Sequence, residues 1–166
     1  FRFFSKPNTS SVGKILRTDY HAHWLPGIDD GAAKMEDTMH MLRAFEKMGY
    51  ESLVATPHIM AGMHDNEPQG IKRTLERVKE KAREAGIRLR LHAAAEYMID
   101  EGFTQQLNNG LLPIRDQYIL VEQSYLREYP AFGEMLFEIQ LKGYIPVLAH
   151  PERYFFWHDP RLKKYE

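Results

Sequence analysis

The sequence contains no cysteine. Disulfide staples, thiolate metal sites and a cysteine nucleophile are therefore excluded, and any metal must be held by nitrogen and oxygen. Charge of one sign is lacking too. Lys and Arg number 22 against 23 Asp and Glu, so the net charge of -1 makes no broad field for phosphates, and no nucleic-acid partner is expected. No apolar run approaches the ~20 residues of a membrane span, and the opening FRFFSKPNTSSVGK has no signal-peptide core. No membrane span is expected, and a cytoplasmic location follows by default. What is present is ordinary for a soluble domain: 166 residues, 43% hydrophobic and 27% charged, enough for one real core. Residues 1–17 read as an N-terminal extension, mobile or docked on a partner, in which Phe1, Phe3 and Phe4 could equally cover a neighbouring surface. Residues 18–166 read as the domain itself.

From Thr18 onward, short β-prone runs alternate with amphipathic helical segments, the pattern of a parallel α/β sheet. The first strand ends at His21-Ala22-His23. Met35, Met39, Leu42, Phe45 and Met48 recur at helical spacing and predict a helix from Met35 to Met48 stopped by Gly49. Ser52 to Thr56 is a second strand, cut off by Pro57-His58. Ile71, Leu75, Val78, Ala82 and Ala85 form the next helical stripe, closed by Gly86. A third strand is predicted from Leu89 to Glu96, a short helix over Phe103 to Leu107, and a fourth strand over Tyr118 to Glu122. A helix over Phe132 to Leu141 and a fifth strand over Pro146 to His150 complete five strand-helix units.

Each strand runs into His or Glu: His21 and His23, His58, Glu96, Glu122 and His150. In α/β sheets the carboxyl ends of the strands open on one face, where sites are built. Six potential ligands are thus expected in one crevice, and Asp30, in the turn Gly27-Ile28-Asp29-Asp30-Gly31, is a seventh. Taken singly these are weak signals. An isolated His-x-His is more often a surface or hydrogen-bonded pair than a metal site, and lone carboxylates are usually solvated. Glu96 and Glu122, however, follow apolar runs, and a carboxylate at the mouth of a buried strand needs a compensating cation. The joint pattern points to divalent metal ions.

The other histidines read differently. His40, His64 and His158 are expected at the surface, and His92, sharing alternation parity with Glu96, is expected as a hydrogen-bonded core residue. Met35, Met39 and Met48 read as core filler. Arg153 follows His150 by three residues, and its guanidinium either grips phosphate oxygens or pairs with Glu152 or Glu128. The run Tyr154-Phe155-Phe156-Trp157 is either a substrate wall or core packing against further parts of the fold.

Asp19-Tyr20-His21-Ala22-His23, Gly27 to Gly31, Thr56-Pro57-His58, Ala94-Ala95-Glu96, Val121-Glu122 and Ala149-His150-Pro151-Glu152-Arg153-Tyr154 together resemble the polymerase-and-histidinol-phosphatase (PHP) family. The match is to its bacterial capsular-polysaccharide tyrosine-phosphatase branch, and it spans Thr18 to Tyr154 in order. The resemblance implies an α/β fold of the PHP type, a distorted β/α barrel, represented here by about five parallel strand-helix units of an incomplete barrel. It implies up to three divalent metal ions, manganese or iron in type with zinc or magnesium as alternatives. The implied activity is hydrolysis of phosphotyrosine on a polysaccharide-regulating tyrosine kinase, which links the chain to capsule and exopolysaccharide biosynthesis.

Position by position, the resemblance assigns His21, His23 and Glu96 to one metal, Glu96, Glu122 and His150 to a second, and Asp30 with His58 to a third. Arg153 and His150 become the candidate catalytic residues, Arg153 gripping the phosphate. The family pattern continues with another strand-end histidine and an Asp-x-His pair, neither of which occurs here, so the chain is expected to be truncated at its C-terminal side. Two alternatives stay open: a phosphatase acting on histidinol phosphate or another small molecule, and a non-catalytic remnant that forms homo-oligomers through exposed sheet edges. A nuclease is disfavoured by the missing basic stripe.

Overall fold

The structure is a computed structural model that describes residues 12–158. The aromatic opening stretch of the sequence, residues 1–11, lies outside the described residues. In chain order the elements are α1 (Val12–Leu16), β1 (Thr18–Ala22), α2 (Met35–Met48), β2 (Ser52–Ala55), β3 (His58–Ile59), α3 (Pro68–Glu84), β4 (Arg90–Ala93), β5 (Glu96–Met98), α4 (Phe103–Asn109), β6 (Tyr118–Glu122), α5 (Phe132–Leu141) and β7 (Ile145–Leu148). Two single 3-10 turns, Pro151–Arg153 and Phe155–Trp157, follow.

Among the described residues the chain divides into two compact units, the first comprising the residues up to Pro57 together with Gln69–Ala94 and the second His58–Pro68 together with the residues from Ala95 onward. In the first, β1, β2 and β4 form a parallel sheet in that order, with Leu53 of β2 opposite Asp19 of β1 and Leu91 of β4. The central strand β2 is buried along its whole length, as expected of a parallel strand covered on both faces. Ile71, Leu75, Val78 and Ala82 of α3 are buried as its stripe predicts, whereas in the α2 stripe only Leu42 is buried and Met35, Met39, Phe45 and Met48 are half-buried. The stop of α2 is a backbone device: Gly49 adopts φ 91°, and the amides of Gly49 and Tyr50 return to the carbonyls of Glu46 and Phe45.

In the second unit, β3, β5, β6 and β7 form a parallel sheet in that order. Ile119, Leu120 and Val121 of β6 are buried, together with Tyr97, Phe103, Phe132, Ile139 and Tyr154. The Tyr97 hydroxyl accepts the amide of Leu112 at 2.7 Å, which ties the loop after α4 to β5.

The α/β class and the parallel pairing agree with expectation, and β6, α2 and α5 have the predicted bounds. Two of the five predicted strands do not survive as single elements. The second ends at Ala55 and a new two-residue strand starts at His58, because Pro57 has no amide to give to a ladder. The third is likewise broken, into β4 and β5 around Ala94-Ala95. That break cancels the parity between His92 and Glu96. His92 is exposed and Glu96 is fully buried, so His92 is no core histidine.

Candidate metal centre

In the first unit the His21-Ala22-His23 segment lies at the end of β1, where the pairing with β2 is irregular between Asp19 and Ala22. The two imidazole rings are neighbours, their centroids 5.5 Å apart. Asp19 secures this segment, since its Oδ1 accepts the His21 amide at 3.1 Å, and burial raises its carboxyl pKa above the ordinary value. His23 Nδ1 meets Asp29 Oδ2 at 2.7 Å, and the other oxygen of Asp29 accepts the Gly31 amide at 3.0 Å. Asp29 is thereby locked in an Asx turn, its side chain 1% exposed, and it places the proton of His23 on Nδ1 and the lone pair on Nε2. Gly31 permits the close return of this turn, because a Cβ there would collide with the carbonyl oxygen and Cβ of His23. Asp30, the sequence candidate, is exposed in the same turn.

The second unit brings four candidates together. His58 opens β3, Glu96 opens β5, Glu122 ends β6 and His150 follows β7. The first two therefore begin strands, against the expectation that every ligand terminates one. His58 Nδ1 lies 2.7 Å from Glu122 Oε1 and 3.3 Å from Glu96 Oε2. His150 Nε2 lies 2.9 Å from Glu96 Oε1 and 3.4 Å from Glu122 Oε2. Each imidazole thus presents one nitrogen to two different carboxylates. The carboxylates are 0% and 1% exposed, so their charges must be neutralised locally.

Protonated histidines would be one means of doing so, as in a buried ion-pair network. A single N–H, however, makes one linear hydrogen bond, whereas each nitrogen here faces two oxygens. A cation in their midst serves all of them at once. Ligands bonded at about 2.1 Å to one ion stand roughly 3.0 Å apart at right angles and 3.4 Å apart in a tetrahedron. The observed separations of 2.7 to 3.4 Å fit that spacing, and nitrogen-and-oxygen donors suit a divalent ion. Among the described residues, His58, Glu96 and Glu122 offer three ligand atoms all within 4.8 Å of one another.

Several devices hold these side chains in place. His150 has φ 33° and ψ 56°, a left-handed conformation unusual for a non-glycine residue and more so before proline. It is fixed by the Arg153 amide, which donates to the His150 carbonyl at 3.0 Å, and by the buried Tyr154. The Tyr154 hydroxyl donates to the Ala149 carbonyl at 3.1 Å and accepts the Gln123 amide at 3.3 Å, pinning the residues beside His150 and Glu122. Burial pushes the Tyr154 pKa well up, so the hydroxyl stays protonated. Of the two readings of Tyr154 to Trp157, core packing holds for Tyr154, which is 0% exposed with Trp157 at 5.0 Å between ring centroids, while Phe155 is 76% exposed.

Arg153 is exposed and lies over the Tyr125 ring, 5.8 Å from its centroid, with Nη1 3.4 Å from the Tyr125 hydroxyl. That hydroxyl in turn stands 3.2 Å from His150 Nε2 and 3.4 Å from Glu122 Oε2. Burial raises the Tyr125 pKa, and the bond from Arg153 opposes the rise. Tyr125 is the link between arginine and carboxylates, and sequence reasoning missed it; a tyrosine three residues past a strand-end glutamate was its one signal. Asp29 was missed because adjacent aspartates look alike, although Asp-x-Gly is an Asx-turn signature. His64, expected at the surface, is half-buried and stacks on His58 with centroids 5.6 Å apart.

Comparison with known proteins places the sequence and the fold in a family. A family model described as capsular polysaccharide synthesis, CpsB/CapC, matches residues 17–160. The chain is similar to the tyrosine-protein phosphatase YwqE of Bacillus subtilis (strain 168), with 38% identity over 138 residues covering 81% of this chain and 54% of that protein. It is similar to the tyrosine-protein phosphatase CpsB of Streptococcus pneumoniae, with 28% identity over 138 residues covering 82% of this chain and 57% of that protein. The chain spans about half the length of these curated relatives. A solved chain from the crystal structures of YwqE from Bacillus subtilis and CpsB from Streptococcus pneumoniae, metal-dependent tyrosine phosphatases, aligns with a TM-score of 0.78. Identity there is 32%, over 87% of this chain and 60% of that one. By sequence across residues 17–160 and by fold, the chain belongs to the capsular polysaccharide synthesis CpsB/CapC family.

Proposed function

We propose that this chain supplies ligands and the phosphate-binding arginine of a metal-dependent protein-tyrosine phosphatase that acts on a kinase regulating capsule or exopolysaccharide synthesis. The observation that carries the reading is the ring of His58, Glu96, Glu122 and His150, in which two buried carboxylates each face two imidazole nitrogens. His21, His23 and Asp30 of the first unit are proposed as metal ligands as well. Up to three divalent ions, manganese or iron in type with zinc or magnesium as alternatives, would supply an activated water and counter-charge for the phosphoryl oxygens.

The chain's own residues do the positioning. Glu96 and Glu122 place carboxylate oxygens where water is excluded, and His58 and His150 bring imidazole nitrogens to either side of them. Asp29 sets the tautomer of His23. Arg153, held across the Tyr125 ring, offers its guanidinium fork to phosphate oxygens on the same side as Tyr125. No protein nucleophile is required, which agrees with the absence of cysteine.

The test is metal binding and phosphate recognition by the purified chain. Manganese titration by calorimetry should show saturable binding that His150→Ala weakens at least tenfold. Hydrolysis of p-nitrophenyl phosphate, abolished by chelator, checks the activity. A chain that binds no manganese, iron or zinc above background refutes the reading. Faster turnover of histidinol phosphate than of phosphotyrosine peptide would move the substrate to a small molecule.

A further inference from the structure

The second unit contains a cleft of about 980 Å³ that the metal reading leaves unused. Its walls come from the segments following β3, β5 and β6, the carboxyl side of the parallel sheet where α/β folds place ligands. Met60, Met63, Met98, Ile99 and Leu126 give it an apolar and adaptable lining. Leu126 is 94% exposed and Met63 70% exposed, apolar surface that gains by being covered. Tyr125 also lines the cleft, so the cleft is continuous with the side chain that touches Glu122, His150 and Arg153.

Gln123 is the second observation. The residue is fully buried and borders the cleft; Oε1 accepts the Tyr129 amide at 3.0 Å, but Nε2 is buried with no hydrogen-bond partner. A buried amide donor left unmatched is costly, and a turn of the side chain toward the cleft would let it donate to a ligand's carbonyl. The volume lies at the upper end of ligand pockets and exceeds what one phosphorylated ring requires. We infer that this cleft holds apolar residues flanking the phosphorylated tyrosine of a polypeptide substrate, with Gln123 Nε2 donating to a backbone carbonyl of that segment. The assignment rests on the phosphotyrosine reading above and adds a sequence preference to it.

The experiment measures fluorescence anisotropy on the manganese-loaded chain. The probes are two labelled nonapeptides carrying a non-hydrolysable phosphonate analogue of phosphotyrosine, one flanked by leucines and one by serines, with inorganic phosphate as competitor. The leucine-flanked probe should bind at least tenfold more tightly. Met63→Asp and Leu126→Asp, both at exposed positions outside the metal ligands, should each remove most of that preference while leaving the serine-flanked probe and inorganic phosphate unchanged.

Equal affinity of the unaltered chain for both peptides, with phosphate still competing, overturns the cleft assignment and leaves the phosphatase reading standing. Loss of all probes together in either variant also overturns it. Failure of the unaltered chain to bind either peptide or inorganic phosphate overturns the phosphotyrosine reading and this inference with it. Sedimentation velocity provides a further check: a dimer converted to a monomer by Leu126→Asp would identify the cleft as a self-association surface and refute the substrate assignment.

Discussion

Tyr154→Phe isolates a single hydroxyl whose two hydrogen bonds join the segments carrying Glu122 and His150. The ring stays, and with it the packing against Trp157 and Phe156 at centroid distances of 5.0 and 5.8 Å. Lost are the donation to the Ala149 carbonyl and the acceptance of the Gln123 amide, both in a fully buried setting. A net hydrogen bond contributes about 1 kcal/mol, and stranding a buried backbone group adds to that, so the substitution should cost roughly 2 to 3 kcal/mol.

For a chain of this size each kcal/mol moves the melting temperature by about 2–4 °C, which gives a fall of roughly 4 to 12 °C. The same hydroxyl steadies the neighbours of two ligands, so manganese affinity should fall about 10- to 100-fold, as outer-shell changes do. Thermal unfolding by circular dichroism, with and without manganese, and calorimetric titration read both effects. A melting temperature within 1 °C of the parent at unchanged manganese affinity would refute the pinning argument.

Asp29→Asn keeps the shape of the turn but removes the carboxylate that fixes the Nδ1 proton of His23; manganese affinity should drop about 10- to 100-fold, measured by titration, with little change in circular dichroism. Glu96→Gln removes a buried charge, so the metal-free protein should melt no lower than the parent, while the rise in melting temperature on adding manganese should disappear. Tyr97 reports alkaline stability. Burial raises its pKa to about 12, so the folded chain prefers the neutral phenol; its contribution is fully present below pH 10 and is lost as the pH rises from 10 toward 12. The complete loss amounts to about 2 to 3 kcal/mol, of which urea titrations at pH 9 and pH 11.5 should show about 2 kcal/mol in the parent and none in Tyr97→Phe.

The sequence yields its helices most readily. The bounds of α2, β6 and α5 follow from apolar periodicity because those elements obey one period from end to end. The breaks in the second and third predicted strands lie deeper. Proline marks the first, but a pair of alanines carries no sign that a ladder ends there, and with that break hidden the exposure of His92 could not be read. At the site, residue type alone pointed to His58, Glu96, Glu122 and His150, whose nitrogens and carboxylate oxygens the structure brings within 2.7 to 3.4 Å of one another, although the first two open strands instead of ending them. What escaped was side-chain support supplied across the chain. Asp29, Tyr125 and Tyr154 act through hydrogen bonds to residues whose nearness depends on backbone turns, and the left-handed turn of His150 is itself invisible in a string that reads His-Pro.

That left-handed turn makes the Arg153 amide a natural reporter. Its bond to the His150 carbonyl persists only while the peptide before Pro151 holds a conformation that costs about 1–3 kcal/mol. A ligand that secures the imidazole should slow exchange of the Arg153 amide, and its removal should speed it. Amide hydrogen exchange at one backbone position therefore reads the state of the site without a substrate, a chromophore or a visible change in fold.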